Sequence, residues 1–478
     1  QKNSYMILNF DFSGIETESL EDTRMSFTNN VRQSLVKFIS KYKEYFDELD
    51  KKRILEAQFA SEMVDIALGK LDINNCKEQI YLIIDEYDQF SNRVFARSNE
   101  EFDTMISKGG FLRAFFEALK VGTKTHIKRI FITGVLPILL DALTSGFNIM
   151  QNSSLDKNYN ELFGFEESDV EKMLQNVGAQ EYKKLVKEYY NGYTFSEESD
   201  VKMYNSDMIL YFCNSYKKMG KLPSYLIDQN IITDYKKIEA IVQMANRQEE
   251  EDLMMELVNN DEIRTTQIQQ SFSGDFGTKI LFNRNSVISL LFYIGYLTIK
   301  EKDLTDTILK IPNYMMKSIY YEYIKYLLER KTKFQIETVQ IEEAIREMAY
   351  GKIEKCIKIV EEFLENLSNR DYQNFDEKYI KLTMMSLLSS NKLYDIVSER
   401  EEKGKYVDLV FKTADKRIRN YYVELKYVKV GESSKSKEEK INEGLEQLKK
   451  IKAQKYMENT DYYVIMFEKH KCAHKQKI

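Results

Sequence analysis

Three residues near the C-terminal end of the chain, Asp408, Glu424 and Lys426, stand at spacings that could build a hydrolytic metal site. Val407-Asp408-Leu409-Val410 and the run Tyr422 to Val428 each read as a strand, with Asp415 to Arg417 as the turn between them. Residues two apart on a strand share a face, so Glu424 and Lys426 point the same way, and the hairpin brings Asp408 alongside. Two carboxylates can hold Mg²⁺, and a lysine beside them can position or deprotonate a water for attack on a phosphodiester. The E-x-K spacing alone says little, because Glu181/Lys183, Glu401/Lys403 and Glu438/Lys440 repeat it through composition. The strand setting singles out Glu424 and Lys426.

A second acidic pair, Asp85-Glu86, ends the apolar run Tyr81-Leu82-Ile83-Ile84. A buried parallel strand delivers carboxylates to a sheet edge in this way, which is the chemistry of a Walker B strand. Asp85 would then hold the Mg²⁺ of a bound ATP through its water shell, and Glu86 would orient or deprotonate the water that attacks the γ-phosphate. Taken alone, the pair fits equally a buried strand whose acidic end meets solvent. Thr133, ending the run from Ile127, is placed to sense the γ-phosphate; in isolation it reads as the cap of the turn before Pro137. No GxxxxGK[ST] occurs: Gly69-Lys70, Gly220-Lys221, Gly351-Lys352 and Gly404-Lys405 are followed by Leu, Ile or Tyr. The chain begins with Gln1 and enters a strand almost at once, so either the phosphate cradle lies upstream of Gln1 or this is not a working NTPase.

The elements that must position these residues follow from composition. At 478 residues with 43% hydrophobic content the chain can bury several cores, and 3 prolines, 18 glycines and 31% charged residues suit long helices. The net charge of −6 is unevenly spread. From Lys403 onward, 19 Lys+Arg stand against 11 Asp+Glu, a local +8, which leaves 51 against 65, or −14, for the rest. A basic module on an acidic body is what binding to a phosphate backbone needs. Four scattered cysteines without a CxxC pair point to a reducing, cytoplasmic setting. The longest apolar runs are too short to span a bilayer, so no membrane partner is expected.

Strand, helix, strand, helix, strand over residues 5–133 is the grammar of a parallel sheet: a strand at Tyr5 to Phe12, helices at Leu20 to Phe46 and Lys52 to Leu68, the Asp85 strand, a short helical region, a helix opened by Gly109-Gly110, and the Thr133 strand. Ser168-x-x-Glu171 reads as a capping box opening a helix that Gly178 could stop. The aromatic residues of the middle region read as core. An apolar helix at Ser286 to Ile294 followed by two short strands reads as a winged-helix-like module, and its nearly neutral loop Lys300-Glu301-Lys302-Asp303 favours packing on the nucleotide domain over contact with DNA. A helix at Glu377 to Leu388, strands at Tyr394, Tyr406 and Tyr421, a helix at Lys437 to Ala453 and a strand at Asp461 make a last α/β domain. His470-x-Cys472-x-His474 sits in a lysine-rich terminal stretch without a fourth ligand, and no metal is expected there. The expected division is 1–150, a nucleotide-binding domain lacking its phosphate loop; 151–235, a helical lid-like region; 236–330, winged-helix-like; 331–371, a helical connector; and 372–478, nuclease-like.

Several ordered motifs make these readings more specific. Ile83-Ile84-Asp85-Glu86-Tyr87-Asp88, Phe131-Ile132-Thr133-Gly134-Val135-Leu136-Pro137-Ile138, Leu143-Thr144-Ser145-Gly146-Phe147-Asn148, Leu162-Phe163-Gly164-Phe165 and Tyr189-Tyr190-Asn191-Gly192-Tyr193-Thr194-Phe195 resemble the bacterial AAA-ATPase-like family. The resemblance implies a P-loop NTPase fold, ATP binding and hydrolysis. Ser398-Glu399, Asp408-Leu409-Val410, Glu424-Leu425-Lys426, Glu446-Gln447-Leu448 and Lys455-Tyr456 resemble the PD-(D/E)XK nuclease superfamily, in the branch often fused to that ATPase-like family. By that resemblance Asp408 and Glu424 are metal ligands, Lys426 is the catalytic lysine, Gln447 braces the site or contacts the backbone, and Glu377 is an added acidic candidate. Gly404-Lys405-Tyr406 stands where the family has Gly-Arg, which keeps the charge without a bidentate phosphate contact. The implied activity is an ATP-regulated, Mg²⁺-dependent nuclease acting on nucleic acid, DNA before RNA, with homo-oligomers left open. The alternative is a nucleotide-switched binding protein whose nuclease fold grips nucleic acid or a partner without cutting.

Overall fold

The structure is a computed structural model, and it describes residues 4–137, 139, 147–223, 226–227, 238–239, 241, 247–270, 272, 283–367, 375–389, 391, 393–401, 406–413, 415–454 and 459–478. Strands β1 (Met6–Asp11), β2 (Ile80–Asp85) and β3 (Ile127–Ile132) form a wholly parallel sheet in the order β1-β2-β3, with Asp11 directly beside Asp85. The central strand is the one with Ile80, Leu82 and Ile84 all buried, as its apolar run requires.

Helices α1 (Leu20–Lys41), α2 (Glu48–Glu56) and α3 (Ala60–Ile73) join β1 to β2. The single helix expected over Lys52 to Leu68 is two. Asp47 and Asp50 form a reciprocal capping box that starts α2 early, and extended backbone at Ala57 and Phe59 separates it from α3. Helices α4 (Gln89–Arg97), α5 (Asn99–Ile106) and α6 (Phe111–Gly122) join β2 to β3. Phe10, Phe12, Phe27, Phe90 and Phe115 interlock with ring centroids 5.1–6.0 Å apart, fixing β1 against α1, α4 and α6.

The middle region carries α7 (Glu167–Val177), α8 (Lys183–Tyr190), α9 (Ser206–Met219), α10 (Arg247–Asn260) and α11 (Arg284–Tyr293). Helix α7 stops at Gly178 in the left-handed conformation, as expected, but it starts one residue before Ser168, with Glu166 at the cap and no side-chain capping bond. Tyr190, Tyr204, Tyr320 and Tyr323 are fully buried, so these aromatics are core. The hairpin after α11, β5 (Thr298–Asp303) with β6 (Asp306–Lys310), is joined by a third strand, β4 (Glu262–Thr265), in the order β4-β6-β5. Helices α12 (Tyr314–Thr332), α13 (Thr338–Ala349) and α14 (Glu354–Glu365) follow.

The last domain has α15 (Glu377–Leu388), β7 (Asp395–Glu401), β8 (Tyr406–Lys412), β9 (Asn420–Val428), α16 (Ser434–Gln454), β10 (Thr460–Glu468) and β11 (Lys471–Lys477). Its mixed sheet runs β11-β10-β9-β8-β7, with β9 and β10 parallel and the other neighbours antiparallel. Tyr421, Val423 and Leu425 of β9 join the large core on one face, while Tyr422 packs with Leu445, Leu448 and Ile451 of α16 on the other. The lysine-rich stretch after Glu468 is an edge strand rather than a loose tail, and the Cys472 N–H donates to Glu361 Oε1 of α14 at 2.7 Å.

The five-stranded sheet is clamped to the helices before it by side-chain hydroxyls on its backbone and on theirs. Tyr314 at the start of α12 donates to the Ile396 carbonyl at 3.0 Å and accepts the Ile396 N–H at 2.5 Å, and the Tyr421 hydroxyl donates to the Met348 carbonyl. No helix among the described residues is long and apolar enough to cross a membrane.

Candidate active sites

The hairpin β8–β9 places the C-terminal cluster. Its ladder pairs Leu409 with Val423, Val410 with Tyr422 and Phe411 with Tyr421. One step further in that register sets Asp408 opposite Glu424, and there the Asp408 Oδ2 accepts the Leu425 N–H at 2.8 Å. Lys426 Nζ donates to Glu424 Oε1 at 2.9 Å, and both side chains are buried, Glu424 at 2% exposure. The other Glu424 oxygen, Oε2, is buried without a hydrogen-bond partner among the described residues. A buried carboxylate oxygen left bare is costly, and a bound cation relieves it.

Helix α15 brings two more charges to the cluster. Asp376 caps the helix by accepting the Tyr379 N–H at 3.1 Å, Glu377 Oε1 accepts the Tyr427 N–H at 3.1 Å, and Lys381, one turn on, is 4% exposed. Burial pushes the Glu424 carboxyl up to about 7, with the Asp408 charge adding to it and Lys426 opposing. Burial also raises Asp408, against the Leu425 N–H and the charges of Lys426 and Lys381. For Lys426 burial pulls the ammonium down, but the charge and hydrogen bond of Glu424, with Glu377 and Asp408, hold it above its usual range. Three carboxylates face two ammoniums, so the fully ionised cluster carries net negative charge suited to a cation.

Among the described residues no group of three or more His, Cys, Asp or Glu side chains stands ready to hold a metal ion. An ion on Asp408 and Glu424 would therefore have two protein carboxylates and fill its remaining positions with water or substrate oxygens. That donor set suits Mg²⁺, which binds through one or two carboxylates and keeps several waters. Helix α16 closes over this place at Gly444, where an added Cβ would lie 3.2 Å from Val464 and 3.3 Å from Glu424 Cγ. Gln447, half-buried three residues further, shares that helix face. Lys381 was not foreseen; a lysine set four residues after Glu377 within the apolar run Tyr379 to Leu388 was the available signal. Gly404, Lys405, Lys455 and Tyr456 lie outside the described residues, as do Ile138 and Leu143 to Gly146.

At the N-terminal sheet, the carboxyl ends of all three strands converge. The Thr133 hydroxyl donates to Asp85 Oδ1, and the Glu86 N–H donates to the same oxygen at 3.1 Å. Glu86 has φ +49°, a left-handed conformation uncommon for a residue with a side chain. Asp11, also not foreseen, stands beside Asp85; the Ser13 backbone and hydroxyl hold its carboxyl below its usual range. Behind them Asp88 is fully buried and accepts the N–H groups of Val135 at 3.0 Å and Leu136 at 2.6 Å and the Asn92 amide at 2.6 Å. A Cβ on Gly134 would fall 2.1 Å from the Tyr87 ring and 2.4 Å from Asp88 Oδ1, so only glycine lets this loop lie against the Asp85–Asp88 turn. Such a crevice at the carboxyl edge of a parallel sheet is where doubly wound folds bind ligands.

Comparison with known proteins finds two families in the chain. Residues 1–144 match the family model described as predicted AAA-ATPase, and residues 375–477 match that of the PD-(D/E)XK nuclease superfamily. Among solved structures a Walker-type ATPase of Pyrococcus abyssi is similar at 12% identity and a TM-score of 0.37, over 66% of this chain and 83% of that one. No curated protein matches the chain.

Proposed function

We propose that the chain is a Mg²⁺-dependent nuclease whose C-terminal site hydrolyses phosphodiester bonds in nucleic acid, DNA before RNA, under the control of an ATP-binding N-terminal domain. The observation that carries this reading is the buried Asp408–Glu424–Lys426 cluster, with a bare Glu424 oxygen, inside the segment matched to the nuclease superfamily. The local +8 around it supports a phosphate-backbone substrate.

Asp408 and Glu424 would hold the metal, which supplies Lewis-acid polarisation of a phosphate oxygen and a more acidic water. Asp408 is fixed for that task by the Leu425 N–H. Lys426 is held protonated by Glu424, so in this arrangement its ammonium hydrogen-bonds to the attacking water or a phosphate oxygen and offsets developing negative charge. Were Glu424 to turn to a bound metal, the contact that keeps Lys426 protonated would weaken, and only after its ammonium had released a proton to solvent could the neutral amine accept one from the water. Gln447 borders the same face and braces the site, with Glu377 as a further acidic neighbour.

In the N-terminal half, Asp85 would hold the Mg²⁺ that accompanies ATP, Glu86 would orient the hydrolytic water, and Thr133 would link the Asp85 carboxylate to the loop at the end of β3. The domain division proposed for the chain remains 1–150, 151–235, 236–330, 331–371 and 372–478. Incubation of the full chain with DNA and RNA, with Mg²⁺ or a chelator and with or without ATP, tests the reading. Metal-dependent products support it, and products that persist in chelator oppose it.

A further inference from the structure

At the root of the β4-β6-β5 sheet Lys310 on β6 feels the charges of Lys202 in the loop before α9, Lys300 on β5 and Lys317 on α12. The strand register sets Lys310 between Glu262 of β4 and Thr298 of β5. Lys300 is the extra residue where the β5 register shifts between Ile299 and Glu301, and bulges re-aim side chains. It reaches across β6 to Glu262 at 2.5 Å, with Glu301 at 3.4 Å. Asp261, next to Glu262, pairs with Lys317.

The carboxylates at this root are therefore taken by other lysines. Lys310 is half-buried and has no hydrogen-bond or ion-pair partner among the described residues. Burial and the charges of Lys202, Lys300 and Lys317 hold its ammonium below its usual range, with Asp261 opposing. With Lys300 and Lys317 ion-paired, the root sets four lysines against Asp261, Glu262 and Glu301, a net +1, and an anion seated against the partly desolvated Lys310 offsets that excess. Lys202 and Lys300 are exposed, which leaves the approach open. At the hairpin tip, by contrast, Asp303 stands opposite Asp306 and pairs with Arg264.

We infer that the root of this sheet, centred on Lys310 with Lys202, Lys300 and Lys317, is a phosphate-binding site for a phosphate of a nucleic-acid backbone or of a free nucleotide. It uses none of Asp408, Glu424 and Lys426, so it stands or falls independently of cleavage. It adds to the reading of the wing a net +1 at the root, beside the nearly neutral loop Lys300 to Asp303.

The test uses the full chain carrying Asp408→Asn, in chelator, so that no strand is cut. Fluorescence anisotropy of labelled single-stranded and duplex oligonucleotides is followed across a salt series, and thermal midpoints are followed with pyrophosphate. If the site takes backbone phosphate, Lys310→Met weakens oligonucleotide binding roughly tenfold at about 0.1 M salt and lowers the salt slope by about 1. If it takes free phosphate, pyrophosphate raises the midpoint of the Lys310 form and not of Lys310→Met. In either case Lys310→Met folds with an equal or higher midpoint without ligand, which a purely structural lysine would not give. Unchanged affinity, salt slope and pyrophosphate response in Lys310→Met overturn the inference.

Discussion

The Asp408 carboxylate accepts the Leu425 N–H at 2.8 Å, so one hydrogen bond sets the acid of β8 in register with the strand that carries Glu424 and Lys426. The ladder between these strands covers Leu409 to Phe411, and the side chain takes over where it ends. A side chain used this way has its position fixed before any ligand arrives, which is the preorganisation a metal ligand needs. An asparagine in its place can still accept the N–H but brings no charge.

Helix α16 approaches Glu424 at Gly444, and this packing is expected to matter more for chemistry than for folding. Alanine is favoured over glycine inside a helix by about 1 kcal/mol, while its Cβ would press Val464 and Glu424 at 3.2–3.3 Å. Gly444→Ala should leave the unfolding free energy from urea melts within about 1 kcal/mol of wild type, whereas metal-dependent cleavage falls several-fold because Glu424 is displaced. Equal loss of stability and activity would assign Gly444 to folding alone.

Glu86 sits at φ +49°, a backbone state that costs a residue with a Cβ roughly 1–2 kcal/mol and glycine almost nothing. Glu86→Gly should therefore unfold at the same denaturant concentration as wild type or higher, despite the looser unfolded chain, while ATP turnover drops. A destabilised Glu86→Gly with normal turnover would show that the carboxylate serves the fold and not the water.

Burial pushes Asp88 above the usual carboxylate range, against the N–H groups of Leu136 and Val135 and the Asn92 amide. A folded-state value above the unfolded one of about 3.8 means that the proton is held more tightly in the folded chain. The associated stability is fully present below the unfolded value and is lost as pH rises through the folded one. Relative to Asp88→Asn, which has no proton to lose, wild type should lose stability as pH rises above about 4 in thermal melts. A difference that stays flat or grows with pH contradicts the burial assignment.

How much of this was legible beforehand depended on whether the signal was local. The three parallel strands and the Asp408 hairpin were readable because apolar runs ended by carboxylates, or alternating around them, are short-range patterns. The split at Ala57 was missed because the capping box of Asp47 and Asp50 was overlooked beneath a continuous helical periodicity. Strand β11 was missed because its inward positions are Cys472 and His474 rather than strong apolar residues, and its pairing with β10 decides the matter. Glu424 and Lys426 could be placed on one face by counting. The buried Lys381, the bond from Leu425 to Asp408 and the Asp11–Asp85 neighbourhood are long-range contacts that single-strand periodicity does not encode.

The most direct measurement is the single-turnover rate of Mg²⁺-dependent strand cleavage by wild type, Asp408→Asn and Lys426→Met, with far-ultraviolet circular dichroism as the check that each is folded. The account predicts folded variants with cleavage reduced roughly 10²–10⁴-fold, and no cleavage by wild type in chelator. Folded Asp408→Asn and Lys426→Met proteins that cut at the wild-type rate would contradict it.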